Sequence, residues 1–346
     1  MAKNGKITRV GIVGLGWAAG AHIHAFNSLP NAKVVAVCSR RCLNAEELER
    51  EYHTPLRLYN DYAAMLRDPE IDVIDITTEP SLHAPQAIAA AEAKKHVLVE
   101  KPLALKWNDA VGIQRAVKKN KVRAAVGFEV RFSQQFTLLR SVVDQGLIGD
   151  IHYAEVDYYH GIGPWYAPYR WNVTKKDGGS SLLSAGCHAL DALLMLVDGP
   201  VAEVRSLATQ SKHKIFAAYE YPTTSVTLLK FAKGNIAKVT SCIDCHQPYY
   251  FHVHLVGSEG ALLDNRLYTN KLKGLKKQWT TLPTALVDSG DVHDHPYAAQ
   301  FQEFVDAIQQ NRPMALTDLD IAMETFRVIF AADESVRTGK PVRVRR

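Results

Sequence analysis

Short apolar runs alternate with helical stretches through the first 125 residues. Ile7 to Val13 reads as a strand, and the helical pattern after it runs to about Leu29, where Pro30 and Asn31 stop it. Lys33 to Cys38 is a second strand. Asn44 to Tyr52 is a helix, capped by Asn44, with Glu46 and Glu47 in the first turn where the helix dipole favours acids. Ile71 to Thr77, His96 to Val99 and Val122 to Gly127 are further strands, and Ala84 to Ala93 and Trp107 to Asn120 are helices. This grammar predicts an α/β, doubly wound parallel sheet. From Asp150 the pattern changes. Asp150 to Tyr159, Val201 to Gln210, Ser225 to Phe231, Asn235 to Cys242 and Tyr250 to Val256 read as strands, with a turn at Gly257 to Gly260. Ser181 to Val197, Pro296 to Gln309 and Leu319 to Arg337 are helical. The second part is therefore α+β with a large, mainly antiparallel open sheet. The division expected is 1–125 and 126–346, with a soft boundary.

A chain of 346 residues suits two cores. Its net charge of +5 comes partly from Arg343, Arg345 and Arg346, and nothing resembles the concentrated basic stripe of a nucleic-acid binder. The basic start, Met1 to Arg9, leads into a short strand instead of a signal peptide. No apolar run approaches the ~20 residues a membrane span needs. The odd count of 5 cysteines suggests reduced thiols and a cytoplasmic setting.

Gly14-Leu15-Gly16-Trp17-Ala18-Ala19 follows the first strand and opens the first helix. In that setting Gly14 permits a tight turn, Gly16 lets backbone approach a pyrophosphate, and Ala19 allows close packing. The helix N-terminus then faces the phosphates. At the end of the second strand stand Ser39, Arg40 and Arg41, with no acid to repel a 2′-phosphate. That leans towards NADP over NAD, although Ser39 can also hydrogen-bond a free ribose hydroxyl.

Two segments carry candidate chemistry. Lys101 follows Leu98-Val99-Glu100 at the carboxyl end of a strand, the edge where doubly wound sheets bind ligands. There it is expected to have a lowered pKa and to exchange a proton with a hydroxyl or carbonyl. In the apolar helix Ser181–Val197, the residues Ser184, His188 and Asp191 share one face, and a buried polar stripe needs partners. Trp165, Tyr166, Tyr169 and Trp171 form an aromatic loop suited to a sugar face, with Arg170, Lys175 and Lys176 available to an anionic substituent. Cys242-Ile243-Asp244-Cys245-His246 has haem-attachment spacing but sits in a strand-like run without an export signal, and reads as coincidence. His252-Val253-His254 and His293-Asp294-His295 are read as unliganded, so no metal is expected.

With these residues in place the chain resembles the Gfo/Idh/MocA oxidoreductase family over almost its whole length. The resemblance rests on Gly11-Ile12-Val13-Gly14-Leu15-Gly16, Glu100-Lys101-Pro102, Gly127-Phe128 with Arg131, Gly178-Gly179 through His188-Ala189-Leu190-Asp191, and Gly339-Lys340-Pro341. It implies a Rossmann domain joined to a domain whose open sheet often makes an oligomer interface, hence a homo-oligomer, dimer or tetramer. It implies that Lys101 and His188, from separate lobes, lie beside the nicotinamide. It places Thr77, Glu79, Pro80 and His83 near the cofactor. The family usually carries Asp four residues before the histidine, and here that residue is Ser184. His188 is then the poorer base, unless Asp191 supplies the charge. Three activities follow: an NAD(P)-dependent sugar or polyol dehydrogenase, a redox-neutral NAD-dependent glycosidase, and a non-catalytic dinucleotide sensor.

Overall fold

The computed structural model describes residues 7–274 and 277–345. Six strands form a parallel sheet: β1 (Thr8–Val13), β2 (Ala32–Cys38), β3 (Arg57–Tyr59), β4 (Val73–Ile76), β5 (His96–Val99) and β6 (Ala124–Val126). Their order is β3-β2-β1-β4-β5-β6. Helices α1 (Trp17–Asn27), α2 (Ala45–Tyr52), α3 (Tyr62–Leu66), α4 (Pro80–Glu92) and α5 (Trp107–Asn120) provide the crossovers. The expected cap holds: Asn44 Oδ1 accepts the Glu46 amide at 3.0 Å. Helix α4 begins at Pro80, earlier than the alanine run suggests, because proline suits the first helical position. The strand order reverses between β1 and β4, and that reversal opens the ligand crevice of such sheets at the carboxyl ends.

The chain falls into two compact units. One runs to Glu129 and takes back His295–Met323; the other holds Val130–Asp294 and the chain from Glu324. The continuous second domain expected at 126–346 is thus corrected: α9 (Tyr297–Gln309) and the start of α10 (Leu319–Thr338) belong with the first sheet. The rings of Phe26 on α1 and Phe301 on α9 stack at 4.2 Å, contacts that no local pattern announces.

The second unit adds α6 (Gln134–Asp144), α7 (Tyr169–Asn172), α8 (Cys187–Leu196) and strands β7 (Ile151–Tyr159), β8 (Val201–Thr209), β9 (Thr224–Phe231), β10 (Ile236–Cys242), β11 (Tyr250–Gly257), β12 (Gly260–Leu263), β13 (Arg266–Thr269), β14 (Thr280–Thr281) and β15 (Val342–Arg343). These nine strands order as β14-β13-β12-β11-β7-β10-β9-β8-β15, antiparallel except at β7–β10. One face buries Val156, Leu229, Phe231, Val239 and Phe251. The other leaves Leu207, Val226, Leu228 and Ile236 exposed, with Leu207 directly opposite Val226. Among the described residues no helix is long and apolar enough to cross a membrane. Of the basic ends, Met1 to Lys6 and Arg346 lie outside the described residues.

Candidate active site

The glycine turn is built by sterics. Gly14 has φ +92°, and a Cβ there would sit 2.9 Å from the Thr78 amide nitrogen and 2.7 Å from Thr78 Cγ2. Only glycine fits that cradle. The Thr77 hydroxyl donates to the Gly14 carbonyl at 2.7 Å, tying the ends of β1 and β4 together. Gly16 is exposed and caps α1 without a side chain, while Ala19 is fully buried under the turn. Open amides at a helix start are what a pyrophosphate binds, so these residues fit a dinucleotide. Trp17 and Ala18 form the first turn of α1, half-buried beside it.

At the end of β2, the Ser39 hydroxyl accepts the Arg41 amide at 3.1 Å. Arg40 is exposed, and its guanidinium lies 3.5 Å from both oxygens of Glu79. The cation read from sequence as a partner for a 2′-phosphate thus already faces a carboxylate. Glu79→Gln should free Arg40 and improve kcat/KM for NADP+ against NAD+ roughly fivefold, the equivalent of about 1 kcal/mol. An unchanged ratio would remove Arg40 from cofactor choice.

Lys101 stands at the carboxyl edge of the same sheet, just beyond β5. Its neighbours are held from both sides. Glu100 is buried; its Oε2 accepts the Lys101 amide at 3.1 Å and its Oε1 lies 3.1 Å from His22 Nε2. The peptide between Lys101 and Pro102 is cis. His83, also buried, spans from the Pro102 carbonyl (2.7 Å) to the Thr78 carbonyl (2.9 Å). Burial pulls the His83 pKa down despite those two carbonyls. Pro80 is buried at the start of α4. His83 is therefore a strut between the β4 and β5 ends.

In the second unit the expected continuous helix Ser181–Val197 is broken into a π-turn, Leu182–Gly186, followed by α8. The turn packs closely on β10: a Cβ on Gly186 would lie 2.4 Å from Ser241 Cβ. Such turns are frequent at functional sites. Ser184, His188 and Asp191 are all buried, but they do not act as one stripe. Ser184 sits beside the Tyr221 hydroxyl. Asp191 closes on Arg131, with Nε to Oδ2 at 2.5 Å and Nη2 to Oδ1 at 2.8 Å, and accepts the Thr325 hydroxyl at 2.8 Å. The buried Arg131 guanidinium and the Asp191 carboxylate thus answer each other's charge.

The aromatic loop disperses in the same way. Trp165 is exposed and lines a cavity of about 430 Å³ with His160, Cys245, His246, Tyr249 and Asp288. Tyr166 packs its ring edge-on to His160 at 4.8 Å, and Tyr169 donates to the Ile215 carbonyl at 3.1 Å. Trp171 is half-buried, Arg170 and Lys175 are exposed, and the Lys175 amide donates to Glu220. The Cys242–His246 run is a polar turn organised by Asp244, which accepts the Ser211 amide and the Thr223 and Thr224 hydroxyls. His252, His254 and Glu155 do approach one another, their donor atoms within 4.8 Å. Lys238 and the Tyr153 hydroxyl already hold the Glu155 oxygens, and Asp264 lies 3.3 Å from His252. A cation there would have to displace an ammonium. His160, His246, Tyr249 and Asp288 were missed in the sequence because they come from separate loops around one cavity.

A parallel sheet with this strand order and this turn defines a dinucleotide-binding α/β protein, here extended by a mixed nine-stranded sheet. Residues 8–128 match the family described as "Oxidoreductase family, NAD-binding Rossmann fold", and residues 136–263 match its "GFO/IDH/MocA C-terminal domain". The chain belongs to the Gfo/Idh/MocA oxidoreductases, and its first unit is an NAD-binding Rossmann domain. It is 26% identical to the scyllo-inositol 2-dehydrogenase (NAD(+)) of Bacillus subtilis, covering 97% of this chain and 96% of that one. It is 25% identical to an inositol 2-dehydrogenase/D-chiro-inositol 3-dehydrogenase of Lactiplantibacillus plantarum, over 88% and 84% of the two chains. A levoglucosan dehydrogenase solved with NADH shares the fold, with TM-score 0.86 at 22% identity over 99% of this chain and all of the other.

Proposed function

We propose that this protein oxidises a secondary hydroxyl of a cyclic polyol or sugar, with Lys101 as a proton-transfer group. NAD, when bound, supplies the hydride acceptor. The observation that carries the reading is the shared edge: in the order β1-β4-β5, the glycine turn and Lys101 stand at carboxyl ends of the same parallel sheet. Gly14, Gly16 and the α1 amides would hold the pyrophosphate, and Ser39 a ribose hydroxyl, with Arg40 balanced by Glu79. Lys101 takes the proton as the hydroxyl is oxidised, on a backbone fixed by Glu100 and His83. Of the second unit's candidates, His188 can accept a proton and the exposed Trp165 ring suits an apolar sugar face. The inositol and levoglucosan dehydrogenases among the relatives support a cyclic, hydroxyl-rich substrate.

The test is an assay of purified protein with NAD+ against inositols, monosaccharides and anhydrosugars. Net formation of reduced nicotinamide in proportion to substrate is expected. Aglycone release from aryl glycosides without net reduction would instead establish the redox-neutral glycosidase, which Ser184 favours by leaving no carboxylate at the usual histidine-orienting position. Tight cofactor binding with neither signal would make the protein a sensor.

A further inference from the structure

The first unit buries a charged bridge that the proposed reaction does not itself use. His22 lies on the inner face of α1 and is fully buried. Its Nδ1 is 2.8 Å from Asp75 Oδ2 on β4, and its Nε2 is 3.1 Å from Glu100 Oε1 at the end of β5. As carboxylates, both partners accept. A neutral imidazole has one N–H, so either tautomer would set a lone pair against a carboxylate oxygen. The ring satisfies both sides when it carries two protons. Burial opposes that charge, but the Asp75 and Glu100 carboxylates outweigh it and push the His22 pKa up to about 10. Tyr297 and Phe301 cover the ring at 4.5 and 4.8 Å. The second Asp75 oxygen, Oδ1, is buried with no hydrogen-bond partner among the described residues, so the His22 proton is what holds that carboxylate.

Glu100 carries the bridge forward. Its other oxygen accepts the Lys101 amide at 3.1 Å. A Cβ on Gly127 would stand 2.9 Å from Glu100 Oε1, so the absence of a side chain there makes the room. Burial raises the Asp75 pKa and the His22 charge opposes it; burial acts on Glu100 in the same sense, but His22 and Lys101 outweigh it and hold that pKa down. With both carboxyls ionised against one imidazolium, the bridge carries a net negative charge behind Lys101. The other titratable groups facing this region are His83 from α4, and Glu129 with His295, which stand 3.1 Å apart.

We propose that His22 is a positioning residue for Lys101: its doubly protonated ring locks Glu100, Glu100 fixes the Lys101 backbone, and the bridge sets the charge that the Lys101 amine faces. The effect on turnover rests on the reading of Lys101 as a proton-transfer group; the bridge itself does not.

Two measurements decide it. In cofactor-free protein with isotope-labelled histidine, both His22 ring nitrogens should be protonated at about pH 8, the resonances being assigned by their loss in His22→Gln. A ring with one proton at that pH overturns the bridge, whatever reaction the protein catalyses. Asp75→Asn keeps the shape and removes one charge. The kcat–pH profile should move to lower pH, because an amine that faces one negative charge fewer is ready to accept a proton at lower pH, and the cofactor KM should stay within about twofold. A lower melting temperature with the kcat–pH profile unmoved would make the role purely structural and refute the proposal. If the native protein oxidises no polyol, the dehydrogenase reading fails on that assay alone, and the protonation of the His22 ring still judges the bridge.

Discussion

Replacing Lys101 with methionine should lower kcat by about 10²–10⁴-fold, the usual contribution of a placed proton-transfer group, with cofactor affinity within about threefold of the native value. The side chain keeps its length and loses its ammonium. Its backbone is held independently, by the Glu100 carboxylate on one side and by the His83 strut to Pro102 on the other, so the substitution should not move the strand end. Lys101→Arg distinguishes charge from proton transfer. Arginine keeps the cation but does not give up its proton near neutral pH, so it should be nearly as slow as methionine. Steady-state kinetics with a polyol that the native protein oxidises, together with a fluorescence titration of NADH, provides both readings. Full turnover in Lys101→Met would remove Lys101 from the chemistry.

Arg131→Met should destabilise the second unit by about 3–5 kcal/mol, because it strands the Asp191 carboxylate in a dry site with only Thr325 to answer it. For a unit of this size that corresponds to roughly 6–20 °C in the melting transition. Arg131→Met with Asp191→Leu should recover much of the loss, since an apolar pair of similar volume removes both buried charges. Asp191→Asn separates scaffold from catalysis: it should melt earlier while the pH profile of kcat stays in place. Differential scanning calorimetry checks the first two, and a displaced kcat–pH profile in Asp191→Asn would restore the aspartate as the partner of His188.

The first sheet was legible because its signals are local. Asn44 as a cap, Gly14 in its strained turn and the β-rich runs each depend on a few neighbouring residues, and each is where the pattern put it. The His22 bridge left a trace that the pattern reading passed over: a histidine on the apolar face of α1, and Asp75 inside the otherwise apolar run Val73–Ile76. Buried polar residues of that kind demand partners, but the sequence does not say which. Helix periodicity misled at Ser184, His188 and Asp191. A π-turn changes the angular spacing, and α10 supplies Thr325 from far along the chain. The carboxylate facing Arg40 was invisible for a related reason, since Glu79 belongs to the next crossover but one.

By itself the sequence determined the two kinds of sheet, the dinucleotide turn and the placing of Lys101 at a strand end, because backbone sterics and hydrophobic periodicity act over a few residues. Tertiary structure alone decided which charges are spent inside the fold. Arg131 and Asp191 neutralise each other, His22 joins Asp75 to Glu100, and α9 packs back on α1. A buried ionic group must find its counter-charge wherever packing brings one, and that distance in the chain leaves no periodic mark.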